Sequence, residues 1–320
     1  MKNLICFVII LLITIAVYGD TLVVNQFDGP YYTINEAYDD AEDGYTILIY
    51  PGTYLESVYV TKAITLEGIE PNSTVIHTNS TYAIRINTSN VTISNLKIIC
   101  TNRGIQVDGV RPDIINCLIE NSSTGIYVYE SSVDIINCVI RNCDIGVYIY
   151  QYNDSGTICG SIYNNIFIDI EQKAIYFVHG GWDVLTTYIN IFNNVIANSD
   201  YGVYKGGEVN YYGSFGYNCF YNNSTNYTGV TPIADNILQN PSFYEMESGN
   251  YYLQSGSPCI DTGNPDVIFN DLDGTRNDIG IFGGPLQWGG GQPTVIDLQI
   301  NPESVTPGQT IDIEATGQVK

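Results

Sequence analysis

The stretch that decides the fold reads Asp113-Ile-Ile-Asn-Cys-Leu-Ile-Glu-Asn121, and it recurs 21 residues later as Asp134-Ile-Ile-Asn-Cys-Val-Ile-Arg-Asn142. A glycine keeps the same step, as Gly104, Gly125 and Gly146. Short Ile, Val and Tyr runs that are broken by Asn and Gly at this period are typical of a β-solenoid, in which each repeat forms one coil. Looser copies of the repeat, with spacings of up to 29 residues, begin at Ile93, Ile162, Ile191 and Tyr217.

Two other repeat architectures come into question at this period. Leucine-rich repeats require a recurrent leucine framework, whereas Ile and Tyr dominate here, and a propeller blade needs about 40 residues. A parallel β-helix, with three short strands per coil, therefore fits best. At these residues the sequence resembles the pectin-lyase-like superfamily of exported, mostly bacterial proteins. The resemblance implies an all-β fold, a single right-handed parallel β-helix over residues 20–288.

The N-terminal part extends this resemblance. Thr33 and Glu36 have the spacing of a helix-capping box, which predicts a short capping helix. A strand, the turn Pro51-Gly-Thr-Tyr54 and a further strand follow, in the order found in the first coils of many such β-helices, pectinesterase-like ones included. We expect the helix to cover the open end of the coil stack, an edge that would otherwise template aggregation.

Residues 1–19 have the layout of a secretory signal peptide, with Lys2 followed by an apolar run from Leu4 to Val17. This run is shorter than the roughly 20 residues that a membrane-spanning helix needs. No second run of that length follows, so we expect a secreted or cell-surface protein whose mature chain is not inserted into a membrane.

The chain changes character after Trp288. Residues 289–293 form a Gly-rich linker by composition. Residues 294–320 alternate like strands and resemble the start of an immunoglobulin-like sandwich, which needs about 100 residues. We therefore predict a truncated sandwich or a tail.

The composition excludes several classes of partner. The formal charge is −23, with 34 acidic against 11 basic side chains, whereas binding to nucleic acid or to anionic lipid needs a basic face. The same charge disfavours a polyanionic glycan and favours a neutral one.

Seven of the 8 cysteines remain if Cys6 leaves with the signal peptide. None belongs to a C-x-x-C pair, so a structural zinc site is not expected, and the pairing of the seven stays open.

A row of tyrosines follows the repeat glycines. Side chains alternate sides along a strand, so Ile126, Val147, Ile175 and Val203 would face the core. Their neighbours would then point outward from successive coils; we call this set the tyrosine row: Tyr127, Tyr148, Tyr176 and Tyr204. An exposed aromatic row suits sugar rings, and the alternative is that stacked tyrosines only stabilise the sheet.

The motifs that the superfamily's enzymes would imply are missing. Its lyases use Arg or Lys as base and Ca²⁺ on the substrate carboxylate; here Arg103 and Lys205 lie near the tyrosine row, but no lyase signature surrounds them. The hydrolase motifs Gly-His-Gly and Arg-Ile-Lys are absent, since Val178 precedes His179 and Asn87 follows Arg85-Ile86. We therefore assign no catalytic residue, and whether the chain is an enzyme stays open, with the balance against it.

Three carboxylates near the C-terminus are spaced as in a short calcium loop around a Gly turn: Asp271, Asp273 and Asp278. The closing Glu of an EF-hand loop is absent. The sequence predicts a Ca²⁺ site here, and the alternative is a turn in which Asp273 binds its own backbone.

Together these features predict an exported, cell-surface or secreted β-helix that binds polysaccharide or cell-surface glycan through the tyrosine row without catalysis. One alternative is a Ca²⁺-assisted polyuronate lyase or related pectin-acting enzyme, and another is a purely structural stalk. The sequence leaves the glycan and the oligomeric state open.

Overall fold

A computed structural model describes residues 19–152, 157–181, 185–207, 209–246, 249–286 and 288, together with the backbone of 294–301 and 312–318. The predicted signal peptide, apart from Gly19, and the predicted linker 289–293 lie outside the described residues. Export therefore stays a prediction. No helix among the described residues is long and apolar enough to cross a membrane.

The chain winds into a parallel β-solenoid of about eight turns, which confirms the predicted fold class. Each turn carries three short strands, so the solenoid has three faces. Face 1 is a ten-stranded parallel sheet made of Thr21–Val24, Thr46–Ile49, Thr65–Gly68, Thr92–Ser94, Asp113–Ile115, Val133–Ile136, Thr157–Tyr163, Leu185–Phe192, Val209–Tyr211 and Phe215–Gly216.

Faces 2 and 3 belong to one 14-stranded sheet, because two long strands, Val139–Gln151 and Ile166–His179, run through both faces. The other strands of face 2 are Gly52–Tyr54, Thr74–Thr78, Lys97–Cys100, Leu118–Glu120, Val195–Ala197 and Cys219–Tyr221. The other strands of face 3 are Val58–Val60, Tyr82–Ile86, Arg103–Asp108, Thr124–Tyr129, Tyr201–Lys205 and Thr225–Thr228.

The register follows the 21-residue repeat. Asp113 pairs with Asp134 and Ile114 with Ile135 on face 1. The repeat glycines mark a close approach of neighbouring coils, since a Cβ on Gly125 would lie 2.7 Å from the carbonyl oxygen of Gly146. That distance is too short for any side chain, which explains why glycine recurs there.

One short helix, α1 (Ile34–Asp40), packs on the N-terminal end of the stack. Thr33 is its N-cap, and the capping box with Glu36 is present as predicted. Ile34 and Ala37 are fully buried, so the helix buries the end of the apolar bore and covers an edge that would otherwise be open to pairing.

The described chain has two hydrophobic cores. The first fills the bore of the solenoid with inward-facing aliphatic side chains. The second lies outside face 2, where residues 241–246 and 249–286, the C-terminal segment, fold back over the coils. This segment contains an antiparallel pair, Phe243–Glu245 with Asn250–Leu253, and a 3₁₀ turn, Val267–Phe269.

The corner between faces 1 and 2 carries a ladder of hydrogen bonds. The backbone N–H of Cys138 donates to Oδ1 of Asn165 at 2.8 Å, that of Asn165 to Asn194 at 3.0 Å, and that of Asn194 to Asn218 at 3.0 Å. The Asn-Cys sequence of the two copies at Asn116 and Asn137 predicts Cys219, in Asn218-Cys219, for the last position; this prediction is wrong, because Cys219 pairs with Val195. Tyr217 takes the left-handed backbone conformation there, so the next residue, Asn218, continues the ladder.

All seven cysteines from Cys100 to Cys259 are free thiols, and all but Cys159 are buried.

Beyond the C-terminal segment, Thr294–Asn301 and Asp312–Gln318 form an antiparallel pair. This agrees with the predicted strand character of the tail, while its relation to an immunoglobulin-like sandwich stays a prediction.

Candidate functional site

The four residues of the tyrosine row lie side by side on the outer surface of face 3. Tyr127 pairs with Tyr148, Tyr148 with Tyr176, and Tyr176 with Tyr204 in the parallel register. Their inward neighbours, such as Ile126 and Val147, are fully buried, while the row itself is half-buried. The outward direction that strand alternation predicted is therefore what the structure has.

The rings of the row are packed on one another along the solenoid axis. The ring centroids are 5.4 Å apart for Tyr127 and Tyr148, 5.1 Å for Tyr148 and Tyr176, and 5.4 Å for Tyr176 and Tyr204. Neighbouring ring planes are inclined by 52°, 28° and 72°. Because each ring contacts its neighbours, the row presents mainly ring edges and hydroxyl groups to solvent.

A second, shorter row lies beside the first. Tyr129 and Tyr150 are adjacent in register, and their ring centroids are 5.9 Å apart. Tyr129 also stacks on Tyr127 at 6.5 Å, and Tyr150 on Tyr148 at 6.0 Å. The result is a four-ring aromatic block over two coils, and each such contact contributes about 0.5–1.5 kcal/mol beyond burial.

Two cations occupy ring faces at opposite parts of the row. The guanidinium of Arg103 lies 4.0 Å from the ring centroid of Tyr127 and donates to Gln106. The ammonium of Lys173 lies 4.7 Å from the centroid of Tyr176 and 5.2 Å from that of Tyr204. Neither cation forms an ion pair in the part of the chain that the structure describes. Arg103 is held by Gln106 and the ring of Tyr127, and Lys173 lies against the rings of Tyr176 and Tyr204.

Three phenol groups of the row, those of Tyr127, Tyr148 and Tyr176, have a pKa above the usual value of tyrosine. Burial raises the pKa of Tyr148 to about 12, with smaller contributions from Tyr176, Tyr127 and Tyr150. Burial likewise raises the pKa of Tyr127 and of Tyr176. Within the described residues none of the row's four hydroxyls has a hydrogen-bond partner, so each can donate to and accept from a ligand hydroxyl.

The comparisons with known proteins agree with this architecture. Residues 44–185 match the sequence model of the family described as right-handed beta helix region. Over these residues the sequence is similar to that family, and the parallel β-solenoid described above agrees with the family's description. A comparison with curated protein sequences finds no match.

Solved β-helix structures cover most of this β-helix at low sequence identity. A pectate lyase is 13% identical with a TM-score of 0.46, and the match covers 82% of this chain and 95% of the lyase. The major allergen of cedar pollen is 13% identical with a TM-score of 0.48, covering 75% and 86%. A pectin methylesterase from Yersinia enterocolitica is 12% identical with a TM-score of 0.33, covering 65% and 94%. At these TM-scores the similarity supports no conclusion about this chain.

The two cations considered as catalytic bases have other partners in the β-helix. Arg103 is bound to Gln106 and Tyr127, as described above, and Lys205 donates to the carbonyl oxygen of Val209 at 2.6 Å. The nearest ion pair on this face joins Arg85 to Asp108. In the described ranges neither Arg103 nor Lys205 converges with two or three carboxylates, so no lyase-like set is assembled on face 3.

The three candidate calcium ligands are engaged in turns of the C-terminal segment. Asp271 accepts from the N–H groups of Asp278 and Gly284, Asp273 accepts from the N–H and hydroxyl of Thr275, and Asp278 accepts from the N–H of Asp261. No group of three or more His, Cys, Asp or Glu side chains is arranged to hold a metal ion among the residues described. The structure does not bring the three carboxylates together, and Ca²⁺ binding stays a prediction.

The protonation of these carboxyl groups differs. Burial raises the pKa of Asp271 to about 7, against the opposing effect of the N–H of Gly284. The bonds from Thr275 lower the pKa of exposed Asp273. A calcium ligand needs the carboxylate form, so Ca²⁺ binding at Asp271 would compete with the proton.

A charged triad on face 2 was missed by the sequence reasoning. Glu120, only 5% exposed, binds Lys97 at 2.7 Å and Arg141 at 2.6 Å. Two bonds pull the pKa of Glu120 below its usual value although burial, the largest single effect, opposes them. A signal was available, because Glu120 and Arg141 occupy the same position of the 21-residue repeat and are therefore paired in register.

Proposed function

We propose that this β-helix protein is exported and binds polysaccharide along the tyrosine row, without catalysis of its own. The observation that carries the proposal is a set of four phenol hydroxyls on one face, repeated once per coil over Tyr127, Tyr148, Tyr176 and Tyr204, that have no hydrogen-bond partner within the described residues. Strands in neighbouring coils are about 4.8 Å apart, which is close to the length of one sugar residue in an extended glycan. A glycan that runs along the solenoid axis would therefore meet one hydroxyl per sugar.

The packing of the rings changes the expected mode of binding. Sugar stacking on ring faces is restricted, because the faces contact neighbouring rings, Arg103 and Lys173. Hydrogen bonds from the hydroxyls therefore contribute most of the binding, and ring edges exclude water around them. The charge of −23 repels a polyanion at long range, so we expect neutral glycans to bind better than acidic ones.

A test removes hydroxyls without removing rings. The double variant Tyr127→Phe with Tyr148→Phe keeps the stacked rings but removes two hydrogen-bonding groups. Each such bond contributes about 0.5–1.5 kcal/mol, so the affinity for a bound glycan should fall by about fivefold or more. Affinities are measured by glycan array followed by calorimetry on the strongest neutral and acidic hits.

A matched control is a stacked tyrosine pair outside the row. Tyr188 and Tyr212 have ring centroids 5.5 Å apart, are exposed, and belong to the side of face 1. Tyr188→Phe with Tyr212→Phe should leave the affinity unchanged. Binding that survives in the Tyr127 and Tyr148 variant, or that is lost equally in the control, shows that the row is scaffold.

The enzymatic alternative is tested separately. Wild-type protein is incubated with polygalacturonate, with and without Ca²⁺, and unsaturated uronate products are followed by ultraviolet absorbance. We expect no product. Product formation would replace the non-catalytic proposal with a lyase.

A further inference from the structure

A cavity of about 430 Å³ lies between face 2 and the C-terminal segment. Its floor is aliphatic and consists of Leu118 and Val139 from the coils and Ile281 from the segment. These three side chains are 5%, 1% and 1% exposed, so little of the floor is accessible to bulk solvent. The cavity opens where the segment stops covering the coils.

Aromatic side chains form one side of this cavity. The rings of Tyr252 and Phe282 are stacked with centroids 4.1 Å apart and planes inclined by 12°, and Trp288 also lines the cavity. Tyr252 is 46% exposed, so its ring is accessible from solvent. A flat apolar group can enter between the aliphatic floor and these rings.

The opposite side carries a net positive charge. Arg141 lines the cavity, and Arg141 and Lys97 share the single carboxylate of Glu120. The triad therefore retains one positive charge, and no other acidic side chain pairs with it in the described part of the chain. Arg141 also donates to the hydroxyl of Tyr251 at 3.4 Å, which holds the guanidinium at the cavity wall.

We propose that this cavity binds a small amphipathic carboxylate, with an apolar body the size of one aromatic ring. The carboxylate contacts Arg141, where it balances the remaining charge of the triad, and the ring lies on Leu118 and Val139 against Tyr252. Exposed Glu70 lies at the mouth and repels a carboxylate there, which favours binding with the charged end at the Arg141 wall. This site is independent of the tyrosine row.

A sugar acid fits this cavity less well than an aromatic acid. Hydroxyl groups surround a sugar ring, and those above Leu118, Val139 and Ile281 would lose their hydrogen bonds to water without finding a partner. Each such loss weakens the binding of a sugar acid. The ligand chemistry is therefore set by an apolar floor and one cation rather than by many polar contacts.

Calorimetry with three probes tests the proposal on the whole protein. Phenylacetate carries the ring and the charge, phenylacetamide is its uncharged counterpart, and glucuronate carries the charge on a sugar ring. We expect saturable binding of phenylacetate, at least tenfold tighter than that of either other probe. Equal binding of phenylacetamide, tighter binding of glucuronate, or no saturable binding of phenylacetate at millimolar concentration overturns the proposal.

Variants locate the binding. Arg141→Gln should abolish the difference between phenylacetate and phenylacetamide, whereas Tyr252→Ala should weaken both probes equally. Tyr244→Ala is the control, because Tyr244 is 60% exposed and does not line the cavity. If Arg141→Gln does not fold, judged by circular dichroism, Tyr252→Ala still decides: wild-type affinity for phenylacetate in that variant contradicts the proposed site.

Discussion

Glu120 is one of two acidic side chains that the described structure buries, the other being Asp271. A buried carboxylate is stable only when its charge is matched and its oxygens are bonded. Lys97 and Arg141 lie in the two neighbouring coils, and each forms an ion pair with one oxygen of the Glu120 carboxylate. The triad therefore links three successive coils on face 2.

We expect Glu120→Gln to lower the free energy of unfolding by about 3 kcal/mol at pH 7, since it leaves two neighbouring cations without their counter-charge. The folded-state pKa of Glu120 lies below its usual value, so the stabilisation is present above the unfolded-state pKa of about 4.3 and is lost as the pH falls through the folded-state value. Urea titrations at pH 7 and pH 3 measure the difference.

Asp235→Asn is the control for this prediction, because Asp235 is exposed and has no ion pair within the described residues. Its effect should stay within about 0.5 kcal/mol. A loss in Glu120→Gln that is equally large at both pH values would show that the ion pairs do not contribute as described.

At the scale of the residue, some features follow from the sequence and others do not. The outward direction of Tyr148 follows from strand alternation and the position of Gly146. The contacts between its ring and those of Tyr127 and Tyr176 follow from the repeat. The hydrogen bond between Arg141 and Tyr251 does not follow from the sequence. These residues are 110 positions apart, and no local sequence pattern predicts their contact.

At the scale of the element, two of the corners between faces 1 and 2 carry two adjacent asparagines, and the two side chains of each pair have different roles. The first, such as Asn164 or Asn193, has a positive φ of 55° or 57°, a conformation that Asn tolerates better than most residues. Its side chain points to the C-terminal segment. The second, such as Asn165 or Asn194, is fully buried and bonds to its equivalents in neighbouring coils.

The side chain of Asn194 forms hydrogen bonds to three other residues in or beside this ladder. It donates to the carbonyl of Ile162 and to Asn218, and it accepts from Asn165. Asn194→Ala leaves a buried N–H and a buried carbonyl without partners, so we expect a loss of about 3 kcal/mol in unfolding free energy. Thermal and chemical unfolding followed by circular dichroism measure it.

The matched control for the ladder is Asn210→Ala on face 1, where the side chain is exposed. Its effect should be within about 0.5 kcal/mol. Comparable losses in the two variants would contradict the assignment of the ladder as a specific stabilising element.

The position of the ladder was predictable as far as Asn194, although the steps between its members vary from 21 to 29 residues. From Cys117 to Cys138 the step is 21 residues, and the repeat places both correctly. Near Tyr217 the coil is 24 residues long, as in the bond from Asn194 to Asn218. The similarity of Cys219 to the earlier cysteines then misleads, because hydrogen bonding of the corner, rather than residue type, sets the register.

At the scale of the whole molecule, the C-terminal segment converts an outer face of the solenoid into a second core. The outward side chains of face 2 that it covers are apolar: Leu118, Val139, Ile166, Ile168, Val195 and Ala197. In an uncovered β-helix, such a row would be a large exposed apolar patch. The segment therefore protects the solenoid from association through face 2.

A chain that ends at residue 240 should consequently aggregate, whereas a chain that ends at residue 293 should behave like the full chain. Size-exclusion chromatography with light scattering measures the oligomeric state of both. A monodisperse, monomeric chain ending at residue 240 would show that the segment is not needed to shield face 2.

The sequence predicted the solenoid because its information is local and repeated, as in Asp113–Asn121 and Asp134–Asn142. The docking of the segment was not predictable, although the consecutive apolar residues Leu118 and Ile119 break the alternation expected for a strand with one solvated side. That signal shows that both sides of the strand are covered, but not by which part of the chain.

The anchoring of the segment constrains how this protein can lengthen in evolution. Asn137 binds the carbonyls of Ile281 and Gly283, Asn164 binds that of Gly280, and Asn193 binds the N–H of Asn264. Duplication of a coil between these asparagines would separate the anchors by about 4.8 Å and break the match with a segment of fixed length. Duplications on the N-terminal side of Asn137 leave the anchors in place, so natural variants with extra coils should carry them there.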